Sequence, residues 1–286
     1  MAHLTHSDRV VSVHGPGALL VVSDLHGNLA DLQRMIALWR AEPDACLLLL
    51  GDLLHGPEIP PDLWASDYQH LGDHYVDASD ALFFELERLI EDHPDRVASL
   101  MGNHDHAHVG GPVVAKFFTD EAAHTESKLP VEAIPRLRRF LGRLPLIGTS
   151  ACGVAFTHAS PPHAHFDRAL LANLDLRGYE QVPTWEMLRR GFLGEILWRR
   201  GSRLEDTQRF LARLAYAFPE QPCQVGVYGH EIARGGFEAE NDALLNLSSS
   251  FGMRRAEKTY LRLDLTRRYD RVEDLRPGQE LLPMYP

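Results

Sequence analysis

The sequence is poor in cysteine, in positive charge and in long apolar runs, and each shortage closes off a class of protein. Its three cysteines, Cys46, Cys152 and Cys223, are too few and odd in number for a disulfide scaffold. None has Cys-x-x-Cys spacing, which removes the usual structural zinc site. Each lies in or beside an apolar run that reads as a strand, so buried free thiols are expected. Against 40 acidic residues stand 29 basic ones, a formal net charge of -11. Nucleic acid and anionic membranes want a basic surface, so neither is expected as a partner. Divalent cations bound among aspartates would reverse the potential locally, so a phosphorylated substrate stays compatible with an acidic chain. No apolar stretch nears the roughly 18 residues of a membrane span. The longest, around Cys46–Leu50, is strand-sized, and Met1–Ser12 is polar without a signal-peptide core. A cytoplasmic enzyme is the expectation.

What is present is an alternation of apolar strands, polar clusters and amphipathic helices. Ala18–Ser23 reads as a buried strand that ends abruptly at Asp24. Asn28 then caps a helix to about Arg40, with Leu29, Leu32, Ile36 and Trp39 at helical spacing. Ala45–Leu50 is a second strand, Ala81–Glu91 a helix and Val97–Met101 a third strand. Val113–Ala123, Pro130–Gly142, Trp185–Trp198 and Leu204–Phe218 read as helical, with strands at Gly153–Thr157 and Gln224–Tyr228 among them. Ala243–Leu247 and Thr259–Leu265 read as antiparallel strands that close a second sheet. The pattern predicts an α/β fold over residues 1–286 as one domain, with functional groups at the carboxyl ends of the strands. Residues 54–80, with Pro57, Pro60 and Pro61, form a long connection that reads either as a lid or as a surface excursion.

Five polar clusters follow five of these strands: Asp24-Leu25-His26-Gly27-Asn28, Gly51-Asp52, Gly102-Asn103-His104-Asp105, His158 and Gly229-His230. Taken singly, a Gly-Asp pair is a turn and one histidine is a satisfied core residue. Five in succession, each where an apolar strand stops, have no comparable structural explanation. Asp24 and His26 are two apart, so an extended segment would aim both at one ion. Carboxylate, imidazole and amide donors together suit first-row metals better than calcium. Manganese is the first choice, with iron, zinc, nickel or cobalt as alternatives. His106 and His108 read as neighbours of the site or exposed residues, Asn28 as a helix cap, and Asn246 as structural polarity.

In order and spacing these clusters resemble the calcineurin-like metallophosphoesterases, from about residue 19 to 265, and within them the phosphoprotein phosphatase branch. That branch includes Ser/Thr phosphatases and symmetrical bis(5'-nucleosyl)-tetraphosphatases. The resemblance implies two mixed β-sheets packed as a sandwich and flanked by helices. It implies two divalent cations, the first held by Asp24 and His26, the second by Asn103, His158 and His230, with Asp52 bridging. His104 would protonate the leaving group, and Asp105 would fix its orientation. After Gly229-His230-Glu231 stands Ile232, which cannot ligate, where many diesterases of the superfamily carry a second histidine.

The second motif departs from the family. Gly51-Asp52-Leu53-Leu54-His55-Gly56-Pro57 lacks the Asp and the phosphate-binding Arg expected after Asp52. Arginine's planar fork is the natural phosphate clamp, and the branch carries a second anion-binding segment after a Leu-Trp pair, so Arg199 or Arg200, in Leu197-Trp198-Arg199-Arg200, reads either as its replacement, with His55 assisting, or as a solvated basic pair at a helix end. The implied substrate is a phosphorylated protein or a small phosphate monoester. The alternatives are a dinucleoside tetraphosphate or, with turnover lost, a binding module on the same scaffold.

Overall fold

A computed structural model describes residues 1–286. The chain opens with a hairpin, β1 (His3–Ser7) and β2 (Val10–His14), followed by β3 (Ala18–Val22), α1 (Leu29–Arg40) and β4 (Cys46–Leu49). Next come α2 (Pro61–Asp67), α3 (Ser79–Asp92), β5 (Val97–Ser99), α4 (Asn103–His106), α5 (Glu121–Ser127) and α6 (Ile134–Gly142). Strands β6 (Ile147–Ser150) and β7 (Val154–Thr157) precede α7 (Arg168–Ala172), α8 (Gly191–Trp198) and α9 (Leu204–Ala217). The chain ends with β8 (Val225–Tyr228), β9 (Phe237–Asn241), β10 (Leu244–Leu247), β11 (Thr259–Asp264) and β12 (Leu281–Pro283).

The strands build two mixed sheets. One has seven strands in the order β1-β2-β6-β7-β8-β10-β9, the other five in the order β12-β11-β3-β4-β5. Side-chain alternation places the layers. Leu19 and Val21 of β3 face Phe156, Val227 and Leu247 between the sheets. Leu20 and Val22 of the same strand join Leu32 and Met35 of α1 and Leu82 and Leu86 of α3 in the outer apolar layer. Each such side chain, fully buried, contributes about 1.5–3 kcal/mol. The result is the expected α/β sandwich of two mixed sheets flanked by helices. All three cysteines are buried and free. No helix is long and apolar enough to cross a membrane.

Several elements differ from the sequence reading. The polar-looking N-terminus is a hairpin, turned by Asp8 and Arg9 at φ 50° and 66°, the left-handed pair that suits a two-residue loop. Val10 to Val13 also pair with β6, a strand the sequence reading did not assign. The helix expected at 113–123 begins only at Glu121, after Asp120, whose carboxylate accepts the Ala123 N–H. Residues 111–120 form an irregular strap, because the Lys116 and Phe117 N–H groups bond the Glu121 carboxylate instead of helical carbonyls. Strands β10 and β11 do not close one sheet together. β10 lies beside β8 in the larger sheet and β11 beside β3 in the smaller. They meet face to face through Leu245, Leu247, Leu261 and Leu263.

The 54–80 connection is a packed buttress. Trp64 and Leu71 form a small apolar cluster with Phe251, Trp64 Nε1 donates to Gly72 O at 3.0 Å, and Tyr75 OH donates to His26 O at 2.8 Å.

Candidate metal centre and active-site cleft

Parallel strands deliver their carboxyl ends to one side of the sandwich. β3, β4 and β5 run parallel in the smaller sheet. β7, β8 and β10 do so in the larger. Hydrogen bonds then stitch the ends of the two sheets together. His158 Nδ1 donates to Leu50 O at 2.8 Å, the His230 N–H bonds the Asp24 carboxylate at 3.0 Å, and the Phe251 N–H bonds Asp24 O at 2.9 Å. Gly51, at φ +93°, lies so close to the Gly102 backbone that a Cβ would collide with it, so these two loops approach as only glycine allows.

The backbone is strained in the polar clusters that follow the strands. Asp24, His26, Asp52, His55 and His230 all have positive φ, between 44° and 72°. For residues with a Cβ this costs of order 1–3 kcal/mol each and is found at functional sites. Asp24 and His26 are therefore not an extended clamp. Each reaches the site from its own left-handed turn.

Asp24, His26, Asp52 and His230 converge with Asn103 and His104 on a cleft of about 540 Å³. Asp52 is its hub. Ligand atoms of His26, Asp52 and His104 lie within 4.8 Å of one another, as do those of Asp52, His158 and His230. His158 Nε2 lies 2.9 Å from Asn103 Oδ1 and 3.4 Å from Asp52 Oδ1. His26 Nε2 is 3.4 Å from Asp52 Oδ2. Both ring nitrogens of His230 are buried without any partner, a costly arrangement unless an ion satisfies one of them.

The electrostatics point the same way. Burial pushes the Asp24 carboxyl up to about 6, opposed by His158 and reinforced by Asp52. Burial also drives His26 and His230 well below the ordinary histidine value, which leaves them as the neutral imidazoles that bind metals. Buried carboxylates beside neutral imidazoles and an amide oxygen make a donor set that fits divalent cations.

His104 is held differently. Its Nδ1 lies 2.8 Å from Glu121 Oε2. Burial would lower its pKa, but the charges of Asp52 and Glu121 outweigh that and raise it. Asp105 does not touch the ring, contrary to the role expected for it. Its carboxylate accepts the Gly102 and Leu53 N–H groups at 2.9 and 3.1 Å and so braces the loops beneath the site.

Two expected substrate contacts lie away from the cleft. His55 is 2% exposed. Its Nδ1 faces Glu121 at 3.3 Å and its Nε2 faces His108 at 2.8 Å, so the ring forms a layer behind His104. Arg199 bonds His163 at 3.0 Å. Arg200 does line the cleft, 3.8 Å from Glu231. His106 is fully buried and bonds Leu176 O, Asn28 caps α1 through Asp31 N, and Asn246 donates to Glu231 O. The sequence reading missed Glu121, Lys116 and Phe251, because no strand end or motif marks them.

A calcineurin-like phosphoesterase family model matches residues 18–231. Among solved structures, a protein serine/threonine phosphatase from Saccharomyces cerevisiae superposes with a TM-score of 0.59 at 17% identity, over 93% of this chain and 78% of that one. A cold-active protein-tyrosine phosphatase from a psychrophilic Shewanella superposes with a TM-score of 0.52 at 16% identity, over 91% of this chain and 80% of that one. A search of curated proteins finds no match. At these identities the solved structures establish the fold, and the family match establishes the rest: the chain belongs to the calcineurin-like phosphoesterases, metal-dependent phosphoric ester hydrolases.

Proposed function

We propose that the protein hydrolyses phosphate monoesters, either of phosphorylated proteins or of small molecules, with two divalent cations, manganese foremost. The observation that carries this reading is the convergence of Asp24, His26, Asp52, Asn103 and His230 on one open cleft, where Asp52 lies within reach of His26 and His104 on one side and of His158 and His230 on the other. Asp24, His26 and Asp52 would hold one cation, and Asp52, Asn103, His158 and His230 the other. When bound, such a pair polarises the phosphoryl group and makes water acidic enough to attack at neutral pH.

The chain's own groups supply the rest. His104 faces the cleft with Nδ1 held by Glu121, leaving Nε2 to give a proton to the departing oxygen. The Glu121 carboxylate on Nδ1 favours the protonated ring and fixes its direction. His158, tied to Leu50 O through Nδ1, presents Nε2 inward in a fixed tautomer. Ile232 lines the cleft and offers no ligand atom, which favours monoesters over the diesters handled by a longer histidine set. The two solved neighbours are named for phosphoprotein substrates, consistent with the protein-phosphatase side of the proposal.

A substrate screen tests it. With manganese, the protein should release inorganic phosphate from p-nitrophenyl phosphate and from phosphoserine or phosphothreonine peptides. EDTA should abolish the release, and added manganese should restore it. Absence of phosphate release across manganese, nickel, cobalt and zinc would overturn the reading. Predominant formation of nucleoside diphosphate from dinucleotides would move the substrate to that class.

A further inference from the structure

The chain contains only three lysines, and two are spoken for. Lys128 bonds Asp77 at 2.8 Å, and Lys258 bonds the buried Asp31 at 2.5 Å. Lys116 is the exception. It is exposed on the wall of the metal-centre cleft, and its ammonium rests 4.0 Å over the Phe251 ring instead of against a carboxylate. That ring lies 4.6 Å from the ring of His26. A cation held on an aromatic face beside a proposed metal ligand, with no carboxylate in salt-bridge contact, is placed to meet an anion from solution.

The strap that carries Lys116 is fixed from behind by one carboxylate. Glu121 Oε1 accepts the Lys116 N–H at 3.0 Å and the Phe117 N–H at 2.8 Å. Its other oxygen, Oε2, holds His104 Nδ1 at 2.8 Å. Glu121 itself is buried, at 1% exposure. One rigid group thus sets both the strap and the ring that faces the leaving group. Arg200, on the cleft lining, is mostly exposed and lies near Glu231, so it is the less confined of the two cations.

We propose that Lys116 binds the phosphoryl group of the substrate, replacing the arginine absent from the second motif, and that Glu121 is the residue that positions it relative to His104. The inference rests on the phosphatase reading above, and its test separates the two. Lys116→Ala and Lys116→Arg are compared with the wild type by p-nitrophenyl phosphate kinetics. Calorimetric titration of the manganese-loaded proteins with inorganic phosphate, which needs no turnover, runs beside it. Lys116→Ala should raise KM and weaken phosphate binding by about tenfold, equivalent to ~1.4 kcal/mol. Its kcat and metal content should hold close to wild type, and Lys116→Arg should recover most of the loss. Equal phosphate affinity in the wild type and Lys116→Ala overturns the inference, as does a wild type that binds metal but no phosphate. A wild type that binds phosphate through Lys116 yet hydrolyses no ester sinks the phosphatase reading and leaves the inference standing.

Discussion

Replacing Asp52 by asparagine should lower kcat by on the order of 10³-fold, since on the proposed reading one ligand shared by both cations supports several kcal/mol of charge stabilisation in the transition state. Asp52 is the residue common to the His26–His104 and His158–His230 groups, so a change there disturbs both at once. Asparagine keeps an oxygen to accept the His104 N–H, a bond of 3.0 Å from Asp52 Oδ1, so the fold should survive. The loss should appear with every substrate and in metal content, with the circular dichroism spectrum unchanged. Activity within tenfold of wild type would remove Asp52 from the centre of the mechanism.

The second large effect concerns the leaving group. His104→Asn should slow hydrolysis of an alkyl phosphate by about 10²–10⁴-fold, the usual contribution of a positioned general acid. The loss should be far smaller with p-nitrophenyl phosphate, whose phenolate departs without a proton. Equal losses on both esters would make His104 a binding or structural residue. Glu121→Gln gives a finer version of the same experiment. The Glu121 and Asp52 carboxylates raise the pKa of His104 against the opposing effect of burial. The acid form is required, so alkyl-phosphate hydrolysis should fall as pH rises through the His104 pKa. With Glu121 neutral that pKa drops, and the alkaline fall should move to lower pH. An alkaline limb that stays in place would rule out Glu121 as the partner that tunes His104.

The elements legible in the sequence are those with a local signature. Runs such as Leu19–Val22 and Leu47–Leu50 are apolar on both faces because they are covered on both, and a polar cluster follows each as it leaves the sheet. That contrast, strand then polar cluster, marked Asp24, Asp52, Asn103, His158 and His230 in the sequence, and the fold brings them to one place. The missed features depend on long-range partners. Whether residues 113–120 coil or straighten is decided by the Glu121 carboxylate, which takes two of their N–H groups. The partner of His104 lies 17 residues downstream in sequence, and is not Asp105, the residue that the family resemblance implies. Asp105 is drawn away by the Gly102 and Leu53 N–H groups. His55, in the place of the expected aspartate, is buried between Glu121 and His108, a setting that no local pattern encodes.

The positive-φ residues carry a related lesson. Spacing alone suggested that Asp24 and His26 share one extended face. Their left-handed turns instead direct each side chain separately after β3, at a conformational cost that packing elsewhere offsets.

Metal stoichiometry tests the central claim most directly. The purified protein, loaded with manganese and freed of excess by desalting, would be measured by inductively coupled plasma mass spectrometry beside His230→Ala. The wild type should retain two cations per chain and His230→Ala close to one. A wild type that retains none, or a His230→Ala protein that retains both, would contradict the account.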